Sequence, residues 1–390
     1  MMIKIKNGKI VTTQEILTGF NLYIKDGVIA EITPEDISVD EVREIDAEGN
    51  YVSPGFVDTH THGAGGADFL DATPEAYITA AKMSGCHGAT TVLPTMTSVD
   101  CDRIIKTVRA FDEAKKDPDI ADLAGLHLEG PFFAKSQKGA QEDRFIHPFD
   151  IEETKSIISA TDKILRWTAA PELPGVDEFA NIVTKHGILP CVGHTDATFD
   201  ETIHAYDIGF THATHLYSCM STIHRVNAYR IAGALEAAYF LDGMTVELIA
   251  DGCHLPAALL KYAYKFKGRD KIALVTDSMR AAGMPEGPSV LGSLENGMDV
   301  IVEDGVAKLL DKTAFAGSVA TCDRLVRNMV NLAEVSLVDS VYMMATTPAR
   351  IVGLSDRGEL KKGKRADIVI FNENIEVKYT ICGGRVIFKG

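Results

Sequence analysis

The sequence predicts an α/β protein in which a TIM-like (β/α)8 barrel is joined to a small β domain built from both ends of the chain. Two observations favour this fold class. The middle of the chain holds about eight short, nearly continuous apolar runs, each followed by a stretch with helical periodicity. Both ends instead carry short segments in which apolar and polar residues alternate, which is typical of half-exposed β-strands.

The N-terminal part, up to about Val52, contains alternating segments separated by Asn-Gly and Asp-Gly pairs, which favour tight turns. These segments are IKIKNGKIV, FNLYIKDGVIAEI and REIDAEGNYV, and they predict a sheet built from hairpins. The far end is similar, because ADIVIFN and TICGGRVIFKG resemble strands and follow the helical stretch VDSVYMMATTPARIVGL. We expect the two ends to form one small β domain.

The apolar runs in the middle of the chain have the composition of buried parallel strands. They include TTVLPT, LAGLHLEG, ILRWTAA, ILPCVGH, THATHL, TVELIAD and KIALVTD. Strands of this kind that alternate with helices predict a barrel, whose chemistry should lie at the C-terminal ends of the strands. We expect the barrel to occupy residues 54–347, with residues 1–53 and 348–390 as the two parts of the β domain.

Charge and composition exclude several classes of function. The 390-residue chain has 39 basic and 55 acidic side chains, a formal net charge of -16, so its field repels nucleic acid and anionic membranes. An anionic small substrate stays compatible, because a metal ion and local basic groups outweigh a screened surface charge. The chain starts without a secretory signal, contains no membrane-length apolar run, and has seven cysteines without CxxC spacing. We expect a cytoplasmic protein with reduced thiols.

Histidines and carboxylates collect where the predicted barrel strands end. In chain order they are His60, His62, Glu129, His194, His215, Asp251, His254 and Asp277. Imidazole nitrogens and carboxylate oxygens are ligands that suit zinc, iron or manganese. The sequence therefore predicts a metal site that supports hydrolysis.

Individual ligands have alternatives. His60 and His62 lie two residues apart in an extended segment, so both side chains can reach one ion, and the alternative is that they are ordinary surface or buried histidines. Glu129 could bridge two ions or bind one, and the alternative is a salt bridge at a strand end. His194 and His215 could instead be hydrogen-bonded core histidines, and we interpret His127 as a supporting or core residue.

Asp277 is the predicted proton carrier. Water bound to a metal ion has a lowered pKa but still needs a base that takes its proton. A carboxylate at the end of a late barrel strand can accept that proton and return it to a leaving amine. The alternative is that Asp277 caps a helix that begins in the segment SMRAAG.

Nine segments together resemble the amidohydrolase superfamily and, within it, the N-acetylglucosamine-6-phosphate deacetylases. They are PGFVDTHTHGAGGADFLD, HLEGPFFAKSQKGAQ, VGHTDATF, THATHLYSCM, ADGCHLP, LVTDSMRAAGMPEG, FAGS, TTPARIVGL and GELKKGKRADIVIF. The resemblance implies a barrel flanked by a β-sandwich from both termini, a homodimer, and removal of acetate from an N-acetylated amino-sugar phosphate.

The same resemblance implies roles for the candidate ligands. Glu129, His194 and His215 match the main metal ligands of the family, and Asp277 matches its catalytic aspartate. His60 and His62 match positions that vary, and members with both histidines can hold a second ion bridged by the glutamate. We therefore expect one or two divalent ions per subunit, which could be zinc, iron, manganese or cobalt.

The resulting hypothesis is deacetylation of N-acetylglucosamine 6-phosphate. Metal-activated hydroxide attacks the acetamide carbonyl, the metal and His254 stabilise the developing oxyanion, and Asp277 carries the proton to the nitrogen. The alternative is a related N-acyl amino sugar, either another sugar phosphate or an unphosphorylated one. A sensor or scaffold that kept the barrel without catalysis is disfavoured, because every ligand position and Asp277 are present.

The resemblance also implies substrate contacts, and at some of these positions this sequence differs from the family. An Asn-Ala pair of the family is replaced here by Ser218-Cys219. The phosphate-binding arginine, which in the dimer can come from the neighbouring subunit, has its nearest match in Arg225, with Arg230 as second candidate. The remaining candidates are Gln141, His254 and the loop of Phe315, Ala316, Gly317 and Ser318.

These substrate contacts also have alternatives. Either arginine could be a solvated charge, Gln141 a surface amide and His254 a structural residue. Cys219 and Cys253 could be small buried thiols.

Overall fold

The computed structural model describes residues 2–37 and 41–390 and confirms the predicted fold class. The N-terminal strands are β1 (Met2–Lys6), β2 (Lys9–Val11), β3 (Ile16–Leu17), β4 (Asn21–Lys25), β5 (Val28–Thr33), β6 (Val42–Asp46) and β7 (Tyr51–Pro54). The first half of the barrel region contains β8 (Phe56–Thr61), β9 (Gly63–Ala64), β10 (Ala67–Asp68), α1 (Pro74–Cys86), β11 (Ala89–Met96), α2 (Cys101–Ala114), β12 (Asp122–Leu123), β13 (Leu126–Glu129), α3 (Ile151–Ala160), β14 (Ile164–Ala169), α4 (Val176–Lys185) and β15 (Leu189–Val192).

The second half of the chain continues the alternation. It contains α5 (Phe199–Asp207), β16 (His212–Ala213), β17 (His224–Val226), β18 (Tyr229–Ile231), α6 (Ala234–Phe240), β19 (Thr245–Leu248), α7 (Ala257–Lys267), β20 (Ile272–Leu274), β21 (Gly287–Leu291), β22 (Met298–Glu303), β23 (Val306–Leu309), α8 (Cys322–Asn331), α9 (Leu337–Ile351), β24 (Ile368–Phe371), β25 (Val377–Cys382) and β26 (Arg385–Lys389). Short 3-10 helices cover Phe69–Asp71, Lys135–Gln137 and Asp143–Phe145.

The barrel consists of eight parallel strands: β8, β11, β13, β14, β15, β16, β19 and β20. Its last and first strands meet where the amide of Asp277 donates to the carbonyl oxygen of His60 at 2.8 Å. Thr61 and Ser278 form a parallel bridge beside this contact. The seven apolar runs predicted as strands all coincide with barrel strands, so the strand ends meet at one mouth.

Two sheets from the chain termini pack as a sandwich. One has the order β5-β4-β1-β6, and the other has the order β26-β25-β24-β7-β2-β3. Alternate residues such as Ile3, Ile5, Leu22, Ile368 and Ile370 face inwards and form one buried core, as the two-residue period of a strand requires. The domain boundaries remain predictions, and α9 continues through the one expected after residue 347.

The prediction of one hairpin-built sheet was wrong at the Asn7-Gly8 pair. Strand β1 pairs with β4 and β6, whereas β2 pairs with β3 and β7, so this turn passes the chain from one sheet to the other. A Cβ atom at Gly8 would lie 2.5 Å from a methyl carbon of Val52, so glycine permits the close packing there. The pair Asp26-Gly27 does join a hairpin, with positive φ at both residues.

A three-stranded antiparallel sheet was not predicted. Strands β21, β22 and β23 follow β20 in the place where a barrel helix was expected. Its core contains Met279, Leu291, Val300 and Ala316. Within residues 2–37 and 41–390, no helix combines the length and apolar character needed to cross a membrane.

Candidate metal centre

The predicted ligands meet at the mouth of the barrel. His60 lies in β8 with His62 just beyond it, and Glu129 is the last residue of β13. His194 and His215 follow β15 and β16, and Asp277 follows β20; each of these six residues is at most 7% exposed. Three of them, His194, His215 and Asp277, have positive φ, a strained conformation for these residue types that is found more often at functional sites.

One half of the centre joins His60, His62 and Glu129. The Nε2 atom of His60 lies 3.4 Å from Glu129 Oε1, and Nε2 of His62 lies 3.4 Å from Glu129 Oε2. Asp277 Oδ1 approaches the same two nitrogens, at 3.4 Å from His60 and 3.0 Å from His62. The carboxylate of Asp277 therefore borders this half-site.

The other half joins Glu129 with His194 and His215. Glu129 Oε1 lies 3.2 Å from Nε2 of His194 and 3.0 Å from Nε2 of His215. The two Nε2 atoms are 3.1 Å apart. Each half-site thus supplies three ligand atoms, and Glu129 belongs to both.

The donor atoms fit a divalent cation. Nδ1 of His194 lies 2.8 Å from the carbonyl oxygen of Gln137, which can only accept, so the lone pair of the neutral ring is on Nε2. This lone pair faces the carboxylate of Glu129, with Nε2 of His194 3.2 Å from Oε1, and the two repel each other unless a cation lies between them. Ligands about 2.0–2.1 Å from a tetrahedral ion are separated by about 3.3–3.4 Å, close to the separations found here.

The electrostatics of the centre also favour a cation. Burial alone would raise the pKa of Glu129, but His60, His194 and His215 outweigh it and hold that pKa well below its usual value. Burial likewise opposes ionisation of Asp277, yet His60 and His62 lower its pKa. Both carboxyl groups are therefore ionised at neutral pH.

Asp277 is not a helix cap. No helix begins in the segment after it, and the next helix of the described chain is α8. Its side chain instead faces His62, and its carbonyl oxygen accepts from the amide of Ser318 at 2.7 Å. The alternative in which Asp277 caps a helix is thus wrong, and the side chain is available to a reacting group.

Glu247 is the important residue that sequence reasoning missed. It lies in β19 and is fully buried, with Oε2 at 3.0 Å from Nδ1 of His60 and 3.0 Å from the amide of His215. Its other oxygen faces Arg166 and His212. The available signal was one acidic residue inside the apolar run VELIA, matched by one arginine in ILRWTAA, since buried charges require partners.

Gln141 is not a surface amide. Its Nε2 donates to Glu129 Oε2 at 3.0 Å, and its Oε1 accepts from the amide of Ser98 at 2.7 Å. The side chain is 7% exposed and also faces the cavity described next. It therefore orients Glu129 in addition to any contact with a substrate.

A cavity of about 220 Å³ opens above the ligands. Its wall includes the predicted substrate contacts Ser218, Cys219, His254, Phe315 and Gly317, together with Gln141. Ala316 lies outside this wall because its side chain is buried in the core of the three-stranded sheet. Ser318 is also outside it, and its hydroxyl donates to the carbonyl oxygen of Thr276.

His254 is held by Asp251. One oxygen of Asp251 accepts from the backbone amide of His254 at 2.8 Å, and the other lies 2.8 Å from Nδ1. The ring also packs against Phe315, with 4.7 Å between ring centres. Because Nδ1 faces a carboxylate, Nε2 is left for the cavity.

Neither candidate arginine lies in the cavity. Arg225 and Arg230 face each other across the exposed hairpin of β17 and β18. Within the described residues, no Lys or Arg side chain lines the cavity wall. The described residues of one chain therefore place no Lys or Arg against a phosphate in this cavity. Cys219 and Cys253 are free thiols of intermediate exposure, so neither is a fully buried thiol.

Residues 51–387 match the Amidohydrolase family. The chain is 33% identical over 375 residues to the N-acetylglucosamine-6-phosphate deacetylase of Lysinibacillus sphaericus, covering 94% of this chain and 92% of that protein. It is 32% identical over 382 residues to the N-acetylgalactosamine-6-phosphate deacetylase of Escherichia coli O157:H7, covering 97% of each.

Solved structures show the same architecture. The N-acetylglucosamine-6-phosphate deacetylase of Pasteurella multocida superposes with a TM-score of 0.92 at 26% identity and covers 100% of both chains. A variant of the enzyme of that name from Mycobacterium smegmatis, in complex with N-acetyl-D-glucosamine-6-phosphate, has a TM-score of 0.90 at 28% identity, covering 100% of this chain and 99% of that one.

Proposed function

The chain belongs to the amidohydrolase family, and on this premise we propose that it hydrolyses N-acetylglucosamine 6-phosphate to glucosamine 6-phosphate and acetate. Relatives with this activity in their names match almost the whole chain. The observation that carries the proposal is the pair of His-Glu half-sites beside Asp277, at the base of a cavity.

The metal-binding residues are His60, His62, Glu129, His194 and His215, which support one or two divalent ions per subunit. A bound divalent ion supplies Lewis acidity, which polarises a carbonyl and lowers the pKa of water. The identity of the ion follows from availability in the cell, because this ligand set accepts zinc, iron, manganese or cobalt.

Asp277 moves the proton. Its carboxylate is ionised, buried and 3.0 Å from Nε2 of His62, so it borders the position where water attacks the amide carbon. Asp277 accepts the proton of that water at Oδ1 and transfers it to the amide nitrogen, which leaves as the amine. Asp251 orients His254 through Nδ1, which leaves Nε2 to donate to the acyl oxygen of a bound substrate.

The phosphate contact comes from a neighbouring subunit in this proposal. The hairpin that carries Arg225 is exposed, and apolar residues around it are exposed too, with Ile223 at 57%, Tyr229 at 77% and Phe240 at 69%. Apolar surface of this kind is typical of a protein interface. A homodimer would cover it and bring Arg225 of one subunit to the cavity of the other.

We place the protein in the cytoplasm. Its seven cysteines form no disulfide in the described chain, which agrees with a reducing compartment.

A related amino sugar is the second candidate. One relative is named for N-acetylgalactosamine 6-phosphate, and the Ser218-Cys219 pair alters the cavity wall. The test compares kcat/KM for N-acetylglucosamine 6-phosphate, its galactosamine epimer and unphosphorylated N-acetylglucosamine. We expect the highest kcat/KM with N-acetylglucosamine 6-phosphate. The value for the unphosphorylated sugar should be at least about 100-fold lower, because it leaves a dedicated phosphate site empty. A preference for either other sugar would contradict the proposal.

A further inference from the structure

We propose that Glu247 is a positioning residue that holds both metal half-sites through one carboxylate oxygen, an inference that rests on the proposed metal-dependent function. Its Oε2 atom accepts from Nδ1 of His60 and from the backbone amide of His215, both at 3.0 Å. His60 belongs to one half-site and His215 to the other. Glu247 is itself fully buried in the barrel.

A carboxylate suits this position because three groups donate to it: the guanidinium of Arg166, Nδ1 of His60 and the amide of His215. Oε1 accepts from the guanidinium of Arg166, and Nε2 of His212 lies 3.5 Å from the same atom. An amide has one accepting oxygen and a donating NH2 group. In Glu247→Gln, the NH2 group must therefore face either Arg166 or the two donors on the metal side.

The contact with His60 determines which nitrogen of that ring has a lone pair for an ion. A proton held on Nδ1 places the lone pair on Nε2, which faces Glu129 and Asp277. The contact with His215 acts on the backbone, at a residue with φ of 25°. Loss of the shared acceptor should therefore weaken both half-sites together.

Cobalt(II) binding tests this role without any measurement of activity. Metal-free wild type, Glu247→Gln and His62→Ala are titrated with Co²⁺, followed by visible absorption and competition with a chelator. We expect Glu247→Gln to bind both ions about 10–100-fold more weakly, whereas His62→Ala weakens only one. Glu247→Asp keeps the charge and should bind more tightly than Glu247→Gln, which also provides a second variant if the glutamine variant does not fold.

The matched control is Asp323→Asn, which removes another buried carboxylate that contacts a histidine. Asp323 lies 3.1 Å from Nδ1 of His87, outside the metal centre. Its loss should leave both Co²⁺ affinities unchanged. Wild-type affinities in Glu247→Gln, or weakening of one ion only, would overturn the proposal. Wild type that binds no Co²⁺ would instead contradict the proposed metal-dependent function.

A second cavity supports an independent proposal about the substrate of the same enzyme. We infer that the protein also removes neutral N-acyl groups longer than acetyl, which extend into a space of about 290 Å³ beside the cavity above the ligands. The two cavities share the wall residues Thr97, Ala140, Gln141 and Leu291. This inference rests on the proposed deacetylation.

The direction of the acyl group follows from the wall. The predicted sugar contacts Ser218, Cys219 and Phe315 line only the first cavity. In the proposed reaction the carbonyl carbon lies beside Asp277, which lines the first cavity together with the shared wall residues. When the sugar occupies one side of Asp277, the acyl chain is directed to the other side, towards the second cavity.

The lining of the second cavity suits a neutral chain. Leu70, Val99, Phe145 and Met298 provide apolar surface. The hydroxyl of Ser98 is buried and has no hydrogen-bond partner in the described chain, so a polar atom on the chain could satisfy it.

The charges around the second cavity oppose an anionic group. Arg103 and Lys106 are outnumbered by the acidic wall residues Asp100, Asp102 and Glu142. A terminal carboxylate would therefore meet no net positive charge.

A series of N-acyl glucosamine 6-phosphates tests the inference. If the site ended at the acetyl methyl group, each added methylene would lower kcat/KM roughly tenfold or more. We expect kcat/KM for the N-butyryl substrate to lie within about tenfold of that for N-acetyl, and the N-succinyl substrate to be worse than N-butyryl. A larger loss with N-butyryl, or a preference for N-succinyl, would overturn it, while hydrolysis of the N-acetyl substrate would still support the proposed function.

Val99 lines the second cavity and not the first, so Val99→Trp is the substitution chosen to fill the second cavity. We expect it to lower kcat/KM for N-butyryl at least about tenfold and to change the value for N-acetyl less than about threefold. The matched control is Val28→Trp, at an exposed valine of the terminal sheet that lines neither cavity. Equal losses for both substrates in Val99→Trp would count against the second cavity as an acyl site.

Discussion

Three histidines at the barrel mouth are each held through Nδ1 by a hydrogen-bond partner, which leaves Nε2 to face an ion or a substrate. The carbonyl of Gln137 holds His194, Asp251 holds His254 and Glu247 holds His60. The types and order of the ligands could be predicted, because histidines and carboxylates at strand ends converge in a barrel. The role of Glu247 could not be predicted, because its partners are distant in the sequence and a single acidic residue within an apolar strand does not indicate which residues they are.

Asp277→Asn tests the proton carrier. Asparagine keeps the size of the side chain but cannot take a proton from water, so we expect kcat to fall about 10²–10⁴-fold. Bound metal should stay close to the wild-type content, because the five predicted ligands remain. Near-normal turnover with unchanged metal content would contradict the role of Asp277.

The elements that surround the centre differ in how far the sequence determines them. Continuous apolar runs identify barrel strands because both faces of those strands are buried. The sheet of β21, β22 and β23 was missed because it replaces a helix after β20 and packs on its own small core. The Asn7-Gly8 turn was misassigned because turn residues alone do not say which sheet the next strand joins.

The hairpin of β17 and β18 carries the predicted phosphate contact. Removal of a charged hydrogen-bond donor costs about 1.5–3 kcal/mol, so Arg225→Ala should raise KM for N-acetylglucosamine 6-phosphate about 10–100-fold. The rate with the unphosphorylated sugar should not change. Arg385→Ala, on an exposed arginine of the terminal sheet, is the control. An effect in Arg230→Ala instead of Arg225→Ala would transfer the role to the second candidate.

At the scale of the whole molecule, an ion-pair cluster joins the barrel to the C-terminal segment. Asp122 of β12 contacts Arg357 at 2.7 Å and Arg365 at 3.1 Å. Burial alone would raise the pKa of Asp122, but the two arginines outweigh it and lower that pKa. The carboxylate is therefore charged in the folded protein at neutral pH and stabilises it there.

Asp122→Asn should lower the free energy of unfolding at pH 7 by about 2–4 kcal/mol, since Arg357 and Arg365 each lose one of two carboxylate partners and keep only Asp356 and Asp367. A carboxyl group whose pKa is lowered by folding stabilises the folded protein at pH values above its unfolded pKa of about 4. This stabilisation is lost as the pH falls through the lower pKa of the folded state. The difference from wild type should therefore shrink below about pH 4 in denaturant titrations. Asp119→Asn, at an exposed aspartate, should have little effect; a constant difference at every pH would contradict the account.

We expect the buried His-Glu centre to make this chain a metal-dependent deacetylase. The most direct measurement is acetate release from N-acetylglucosamine 6-phosphate by one preparation, before metal removal, after it and after addition of zinc, iron, manganese or cobalt, with metal content determined each time. We predict that acetate release disappears with the metal and returns when one or two ions per chain are restored. Undiminished hydrolysis by the metal-free protein, or no acetate from the metal-loaded protein, would contradict it.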